Sequence, residues 1–131
     1  MQEYVTTLLT IVFGAVGYLL VTFWFQPILR YRDIKYKIAS DLVYYANTLD
    51  LLDSQGLPRP RMQERMDMNR KRSAELEAVY KYLPRLYRWW LKKFHEDPQE
   101  ARRELIGLSN EMDGREAMQR MQDVRRYLRL L

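Results

Sequence analysis

The hydrophobic pattern divides the chain into one unbroken apolar stretch and a series of amphipathic segments. Residues 5–25, VTTLLTIVFGAVGYLLVTFWF, carry no charged side chain. At about 1.5 Å of rise per residue, this stretch would span roughly 31 Å as a helix, which matches the roughly 30 Å hydrocarbon core of a bilayer. The stretch therefore predicts a transmembrane helix.

Beyond this stretch, apolar residues recur at helical spacing, and each recurrence predicts an amphipathic helix. Residues 28–53 place them on one face, at Ile34, Ile38, Leu42, Tyr45, Leu49 and Leu52. Residues 61–83 predict a second helix, with a core face of Met62, Met66, Leu76, Tyr80 and Leu83 and with Arg65, Arg70, Lys71 and Arg72 among its exposed residues. The intervening SQGLPRP, 54–60, predicts a tight connection between antiparallel helices because glycine and proline interrupt helices.

Three more helices are predicted, from 84 to about 95, from 98 to about 110 and from 115 to 131. Asp97 is expected to cap the second of these, with Pro98 in its first position and Glu100 completing a capping box. Its buried stripe is predicted to be Ala101, Leu105 and Leu108. The fold class is therefore all-α, with a transmembrane signal anchor in residues 1–29 and a cytosolic bundle of about four to five helices in residues 30–131.

The charges beside the apolar stretch predict its orientation. Only Glu3 precedes it, whereas four basic residues follow it closely: Arg30, Arg32, Lys35 and Lys37. The positive-inside rule then places the N-terminus outside and the C-terminal domain in the cytoplasm. The start MQEY lacks the basic residues of a cleaved signal peptide, so we expect an uncleaved anchor. The four basic residues could also bind anionic lipid headgroups, or serve topology alone.

One face of the predicted anchor is rich in small residues. Spacings of three and four residues connect Thr7, Thr10, Gly14, Gly17, Val21 and Trp24. Small residues let membrane helices approach closely, so this stripe could mediate self-association or docking on another membrane helix. The alternative is that glycine and threonine are simply common in membrane helices.

A run of residues without acidic side chains, 78–95, combines positive charge with aromatic rings. Its predicted basic–aromatic patch consists of Lys81, Arg85, Arg88, Trp89, Lys92 and Lys93. Such a helix could lie on a membrane surface or offer stacking and phosphate contacts to a nucleotide or nucleic acid. A third reading makes it a core helix that buries Leu86, Trp90 and Phe94.

Composition narrows the classes of function. Beyond residue 29, the chain has 22 basic and 16 acidic residues, an excess that suits an anionic leaflet or a nucleic acid. Cysteine is absent and His95 is the one histidine, so no metal motif, catalytic set or cofactor site is predicted. We therefore expect a protein that is not an enzyme.

The segments QPILRYR, LVYYAN (residues 42–47) and RELIGLSN (residues 103–110) carry a resemblance. Together they resemble a family of small bacterial single-pass membrane proteins for which no activity is established, from about Pro27 to Asn110. The resemblance implies a bacterial inner-membrane location. The helix predicted after Gly114 departs from that pattern.

Three functional hypotheses follow from these observations. The first is a membrane-anchored interaction module, acting as an oligomeric scaffold or as a small accessory subunit of a larger membrane assembly. The second is a membrane effector whose basic domain senses a nucleotide or another anion and whose anchors gather to permeabilise the bilayer. The third is a module that binds anionic lipid or nucleic acid.

Overall fold

The computed structural model describes residues 1–50 and 60–130, with side chains for 1–46 and 62–130, and these residues are almost entirely helical. The apolar stretch forms α1 (Gln2–Leu20), and none of its 19 residues is buried against the rest of the chain. The hydroxyls of Thr6, Thr7 and Thr10 each donate to the carbonyl four residues earlier, at 2.9–3.0 Å. These bonds satisfy the three threonine hydroxyls of α1 within the helix itself.

A π-helical turn joins α1 to the next helix without a break. Val21–Phe25 form this turn, and α2 (Gln26–Asp50) continues from it. The amide of Gln26 donates to the carbonyl of Val21, five residues earlier. Pro27 lies in the first turn of α2, and it has no amide hydrogen with which to continue the α-helical pattern. The wider turn before it keeps the helix continuous.

Four helices close into an up-down-up-down bundle. They are α2, α3 (Pro60–Lys81), α5 (Pro98–Asn110) and α6 (Gly114–Leu128). Each packs against two of the others, in the order α2, α3, α5, α6 and back to α2. The short α4 (Arg85–Lys93) lies between α3 and α5 in the chain. The all-α prediction is confirmed, and no strand occurs within the described ranges.

The core is built from the predicted apolar stripes. Ile34, Ile38, Leu42 and Tyr45 of α2 are buried, which confirms the predicted inner face of that helix. The stripe of α5 is buried as predicted at Ala101, Leu105 and Leu108, and Leu76, Val124 and Leu128 complete the centre. The predictions for Leu49, Leu52 and the 54–60 connection lie outside the described residues or side chains.

Two arginines of α3 depart from the expectation that they are exposed. Arg65 is 1% exposed, and its Nη2 donates to the backbone oxygen of Glu111 at 3.2 Å. Arg72 is largely covered because its guanidinium bridges Asp41 at 2.6 Å and Glu75 at 2.9 Å. The partners outside α3, Glu111 for Arg65 and Asp41 for Arg72, are distant in sequence. The neighbouring Arg70 and Lys71 are exposed, as predicted.

The start of α5 follows its predicted cap only in part. The Asp97 carboxylate accepts from the amide of Glu100 at 3.2 Å, and Pro98 occupies the first helical position. The reciprocal half of the capping box is absent, since the amide of Asp97 donates to the backbone oxygen of Tyr127 at 2.8 Å. Glu100 instead pairs with Arg103. The amide of Asp97 thus ties α5 to α6.

Candidate interfacial site at the α1 end of the bundle

The bundle has two ends, and one of them lies beside the C-terminal end of α1. Contacts between α2 and α3 at Asp41–Arg72 and Tyr45–Glu64 show that these helices run antiparallel. Contacts at Arg120–Glu104 and Asp97–Tyr127 show the same for α5 and α6. The start of α2, all of α4 and the last turn of α6 therefore share one end, which we call the α1-proximal end.

Helix α4 presents apolar side chains outward at this end. Leu86 and Trp89 are 58% and 57% exposed, and Trp90 and Phe94 also face solvent. Only Leu91 of α4 is buried. The reading in which Leu86, Trp90 and Phe94 pack into the core is therefore wrong. Core contact is made instead by Leu91 and, in part, by Tyr87.

The aromatic rings of α4 pack against one another and against a lysine. Trp90 stacks on Tyr87 with ring centroids 5.6 Å apart, and its other neighbour is Phe94 at 4.6 Å. The ammonium of Lys93 lies 5.3 Å from the ring centroid of Trp89. A cation over an indole and a row of half-exposed rings form a mixed basic and apolar surface.

The predicted basic–aromatic patch divides into outward and inward residues. Lys81, Arg85, Trp89, Lys92 and Lys93 are exposed. Arg88 is turned inward, where its guanidinium donates to the backbone oxygens of Leu83 and Lys81 and stacks on Tyr80. Arg88 thus binds the carbonyl groups left free where α3 ends.

A buried carboxylate connects α2 to the loop after α4. Glu96 is 7% exposed, accepts from the hydroxyl of Tyr31 at 2.8 Å and pairs closely with Lys35. Burial raises the pKa of Tyr31 well above its usual range, and the nearby Glu96 carboxylate acts in the same direction. The Tyr31 hydroxyl therefore stays protonated and can donate to Glu96.

The four basic residues after α1 have different surroundings. Arg30 and Arg32 are exposed, Lys37 pairs with Asp33 at 3.0 Å, and Lys35 pairs with Glu96. Within the described side chains, neither Arg30 nor Arg32 has a carboxylate partner. The sequence grouped the four by position, whereas the structure separates two cations that pair with carboxylates from two that do not.

Two helices end at this site in left-handed residues that are not glycine. His95 has φ 58° and Arg129 has φ 51°. In each case the following amide donates to the carbonyl five residues earlier, Glu96 to Leu91 and Leu130 to Arg125. This is the hydrogen bond of a Schellman motif, in which glycine usually takes the left-handed position. Arg129 also donates from Nη1 to the backbone oxygen of Phe94 at 2.7 Å, which joins the two helix ends.

Replacing His95 with glycine is expected to raise the free energy of unfolding by about 0.5–1 kcal/mol. The left-handed conformation costs a residue with a Cβ about 1–2 kcal/mol, and the extra freedom of unfolded glycine removes about half of that gain. Denaturation of the full chain in mild detergent measures the change.

Arg129→Gly is the matched control for that experiment. It relieves the same backbone strain but removes the bond to Phe94, so its gain should be smaller. A His95→Gly variant no more stable than the original chain would contradict the prediction.

Open clefts surround the cations of the α1-proximal end. One of about 540 Å³ lies between the start of α2, helix α4 and Arg129. A second of about 290 Å³ lies on the other side of Arg32, Lys35 and Arg129. A third of about 630 Å³ separates His95 and Phe94 from Arg126. Sequence reasoning missed Arg129, because only the bundle topology brings the last turn of α6 beside α2.

The predicted stripe runs along α1 and the π-helical turn after it, and neither is covered by the bundle. Thr7, Thr10, Gly14, Val21 and Trp24 are exposed, and Gly17 is partly covered by its own helix. A Cβ added at Gly14 or Gly17 would meet nothing within 4 Å. Backbone is therefore accessible along this face.

Among the residues that the structure describes, no group of three or more His, Asp or Glu side chains could hold a metal ion. The arrangement can instead offer apolar contact and positive charge on one surface. No known protein family, curated protein or solved structure shows a match to the chain.

Proposed function

We propose that this protein is a single-pass membrane-anchored interaction module whose cytosolic bundle rests on the anionic leaflet through its α1-proximal end. The observation that carries the proposal is α4, which exposes Leu86, Trp89, Trp90 and Phe94 among lysines and arginines beside the exit of α1. Large apolar patches rimmed by polar groups mark membrane or protein contact surfaces.

The anchor part of the proposal rests on α1. It is long and apolar enough to cross a bilayer, and none of its residues is buried against the bundle. Leaving that much apolar surface in water would be strongly unfavourable. Arg30 and Arg32 follow it directly, which favours a cytoplasmic location for the bundle. A bacterial inner membrane is part of the proposal only as what the resemblance described above implies.

The position of α4 lies close to the water-facing edge of the headgroup layer. Tyr31, which lies 6.1 Å from Tyr87 of α4 between ring centroids, follows Phe25 by about 9 Å of helix rise. The headgroup region extends about 5–8 Å beyond the hydrocarbon core. The outward face of α4 can therefore reach this layer, where tryptophan is favoured and lysine side chains remain in water.

The ring contacts favour a membrane surface over a nucleotide. Base stacking needs a free aromatic face, whereas Trp90 already packs between Tyr87 and Phe94, and Lys93 covers one face of Trp89. An interfacial helix requires only that its aromatic rings are buried at the membrane surface, whether or not their faces are free. The nucleotide-sensing effector is therefore the weaker hypothesis.

Depth-dependent fluorescence quenching tests the contact with the leaflet. Trp24→Phe leaves Trp89 and Trp90 as the remaining tryptophans. In vesicles containing phosphatidylglycerol, lipids brominated near the headgroup should quench their emission, and aqueous iodide should not. Quenching by iodide alone would refute the contact of α4 with the leaflet.

The role as an interaction module rests on α1. Its accessible face at Gly14 and Gly17 permits close approach of a second membrane helix. That helix belongs either to another copy of this protein or to another subunit of a larger assembly. Cross-linking in native membranes should show assemblies that Gly14→Leu with Gly17→Leu abolishes. Val12→Leu with Val16→Leu, on the opposite face, is the matched control. If the glycine variant and the control assemble alike, α1 is only a tether.

A further inference from the structure

The cleft of about 540 Å³ combines cations with an aromatic wall. Its cations are Arg32, Lys35 and Arg129, and its wall is formed by Tyr87, Trp90 and Phe94. The same three cations also line the neighbouring cleft of about 290 Å³. They therefore stand between two open spaces at the start of α2.

The positive charge in this cleft is only partly neutralised. Lys35 pairs with Glu96, which offsets both charges. Arg32 and Arg129 have no carboxylate partner among the residues the structure describes. Arg129 uses one Nη1 hydrogen for the Phe94 carbonyl, which leaves other guanidinium hydrogens available. Two uncompensated guanidinium groups favour an anion, and their planar fork suits phosphate oxygens.

The location of the cleft favours a lipid as the source of that phosphate. Ile28 borders the cleft about 5 Å of helix rise beyond Phe25, and Arg32 lies about 10 Å beyond it. This range covers the headgroup layer and its water-facing edge. The rings of Trp90 and Phe94 line the cleft near the guanidinium groups, where they could cover the glycerol part of a lipid.

We propose that this cleft binds the headgroup phosphate of an anionic phospholipid, with Arg32 and Arg129 contacting the phosphate. The inference rests on the proposed membrane contact and deepens it from a general surface to a defined lipid site. It accounts for the place of Arg129, which a left-handed turn holds beside α2.

Lipid binding to the full chain in mild detergent tests the site, with native mass spectrometry counting retained lipids. We expect saturable binding of one phosphatidylglycerol in preference to phosphatidylcholine. Arg32→Gln with Arg129→Gln should weaken that binding about 30-fold, since each basic residue near an anionic surface contributes about a factor of five. Arg32→Gln alone should weaken it about fivefold and leaves the bond to Phe94 intact.

The control variant is Lys71→Gln with Arg115→Gln, which removes the same charge from exposed positions outside the cleft. Equal weakening in this control, or no preference between the two lipids, would overturn the site. Inorganic phosphate at millimolar concentration distinguishes the other source. If it displaces phosphatidylglycerol, the cleft binds free phosphate and the lipid assignment is wrong.

Tryptophan quenching separates this inference from the proposed function. The Arg32 and Arg129 variants should keep α4 in contact with the leaflet and so keep quenching by brominated lipids. Quenching that persists while all variants bind lipid equally would overturn the cleft alone. Lipid selectivity that persists without quenching would overturn the proposed contact of α4.

Discussion

Replacing Glu96 with glutamine is expected to lower the free energy of unfolding by about 3 kcal/mol. Glu96 is 7% exposed and holds both the Lys35 ammonium and the Tyr31 hydroxyl, whose oxygen lies 2.8 Å away. The amide would leave Lys35 largely covered without its counter-charge. Removing one partner of a buried pair costs about 3–5 kcal/mol, and the partial exposure of Lys35 favours the low end of that range.

Denaturation of the full chain in mild detergent, followed by circular dichroism and tryptophan emission, measures this loss. Glu77→Gln is the matched control, because Glu77 is 42% exposed and its oxygens lie 3.5 Å from Arg102 Nη1 and 3.9 Å from Lys81 Nζ. Exposed pairs of this kind contribute about 0–1 kcal/mol. Equal losses for Glu96→Gln and Glu77→Gln would show that the Glu96 pair is solvated and contributes no more than a surface pair.

Replacing Arg65 with methionine is expected to raise the free energy of unfolding by about 2 kcal/mol. Arg65 is 1% exposed, and its Nε and Nη1 have no hydrogen-bond partner among the described residues. Burial lowers its pKa, and Glu111 only partly offsets this. Replacing a buried ion pair by apolar side chains of similar volume often stabilises a protein by about 1–4 kcal/mol, and Arg65 has no carboxylate partner among the described residues whose attraction would be lost.

The same denaturation experiment tests Arg65→Met, with Arg70→Met as its control. Arg70 is exposed and donates to the side-chain oxygen of Asn110 at 3.1 Å. Its replacement removes no buried charge, so no gain is expected. A loss of stability in Arg65→Met would show that the guanidinium is fully satisfied in solution and that the prediction is wrong.

Regular periodicity made the long helices predictable. In α2, four apolar residues at helical spacing all face the core. A stripe of that length can be buried in only one rotation of the helix about its axis. Helix α4 has nine residues with large side chains on every face, so its own sequence did not determine its orientation. In the folded chain Leu91 faces inward, and Trp89 and Trp90 are exposed.

The candidate site depends on contacts between residues far apart in sequence. Arg32 was predicted as one of four basic residues that could bind anionic headgroups or serve topology alone, and Arg129 was not singled out. Their proximity follows from the closure of α6 onto α2, which no local pattern encodes. Arg65 was predicted as exposed because it is charged and lies outside the predicted core face of α3. Its burial depends on the end of α5, 46 residues further along the chain.

Because the π-helical turn joins α1 to α2 without a break, the two helices move together as one rigid rod. The 25 residues of α2 extend about 37 Å, so tilting α1 by about 20°, a usual value in bilayers, would swing the far end of the bundle sideways by about 13 Å. Seating α4 on the leaflet restricts that swing. The orientation in which the distal end of the bundle meets a partner is then determined by how α1 is inclined.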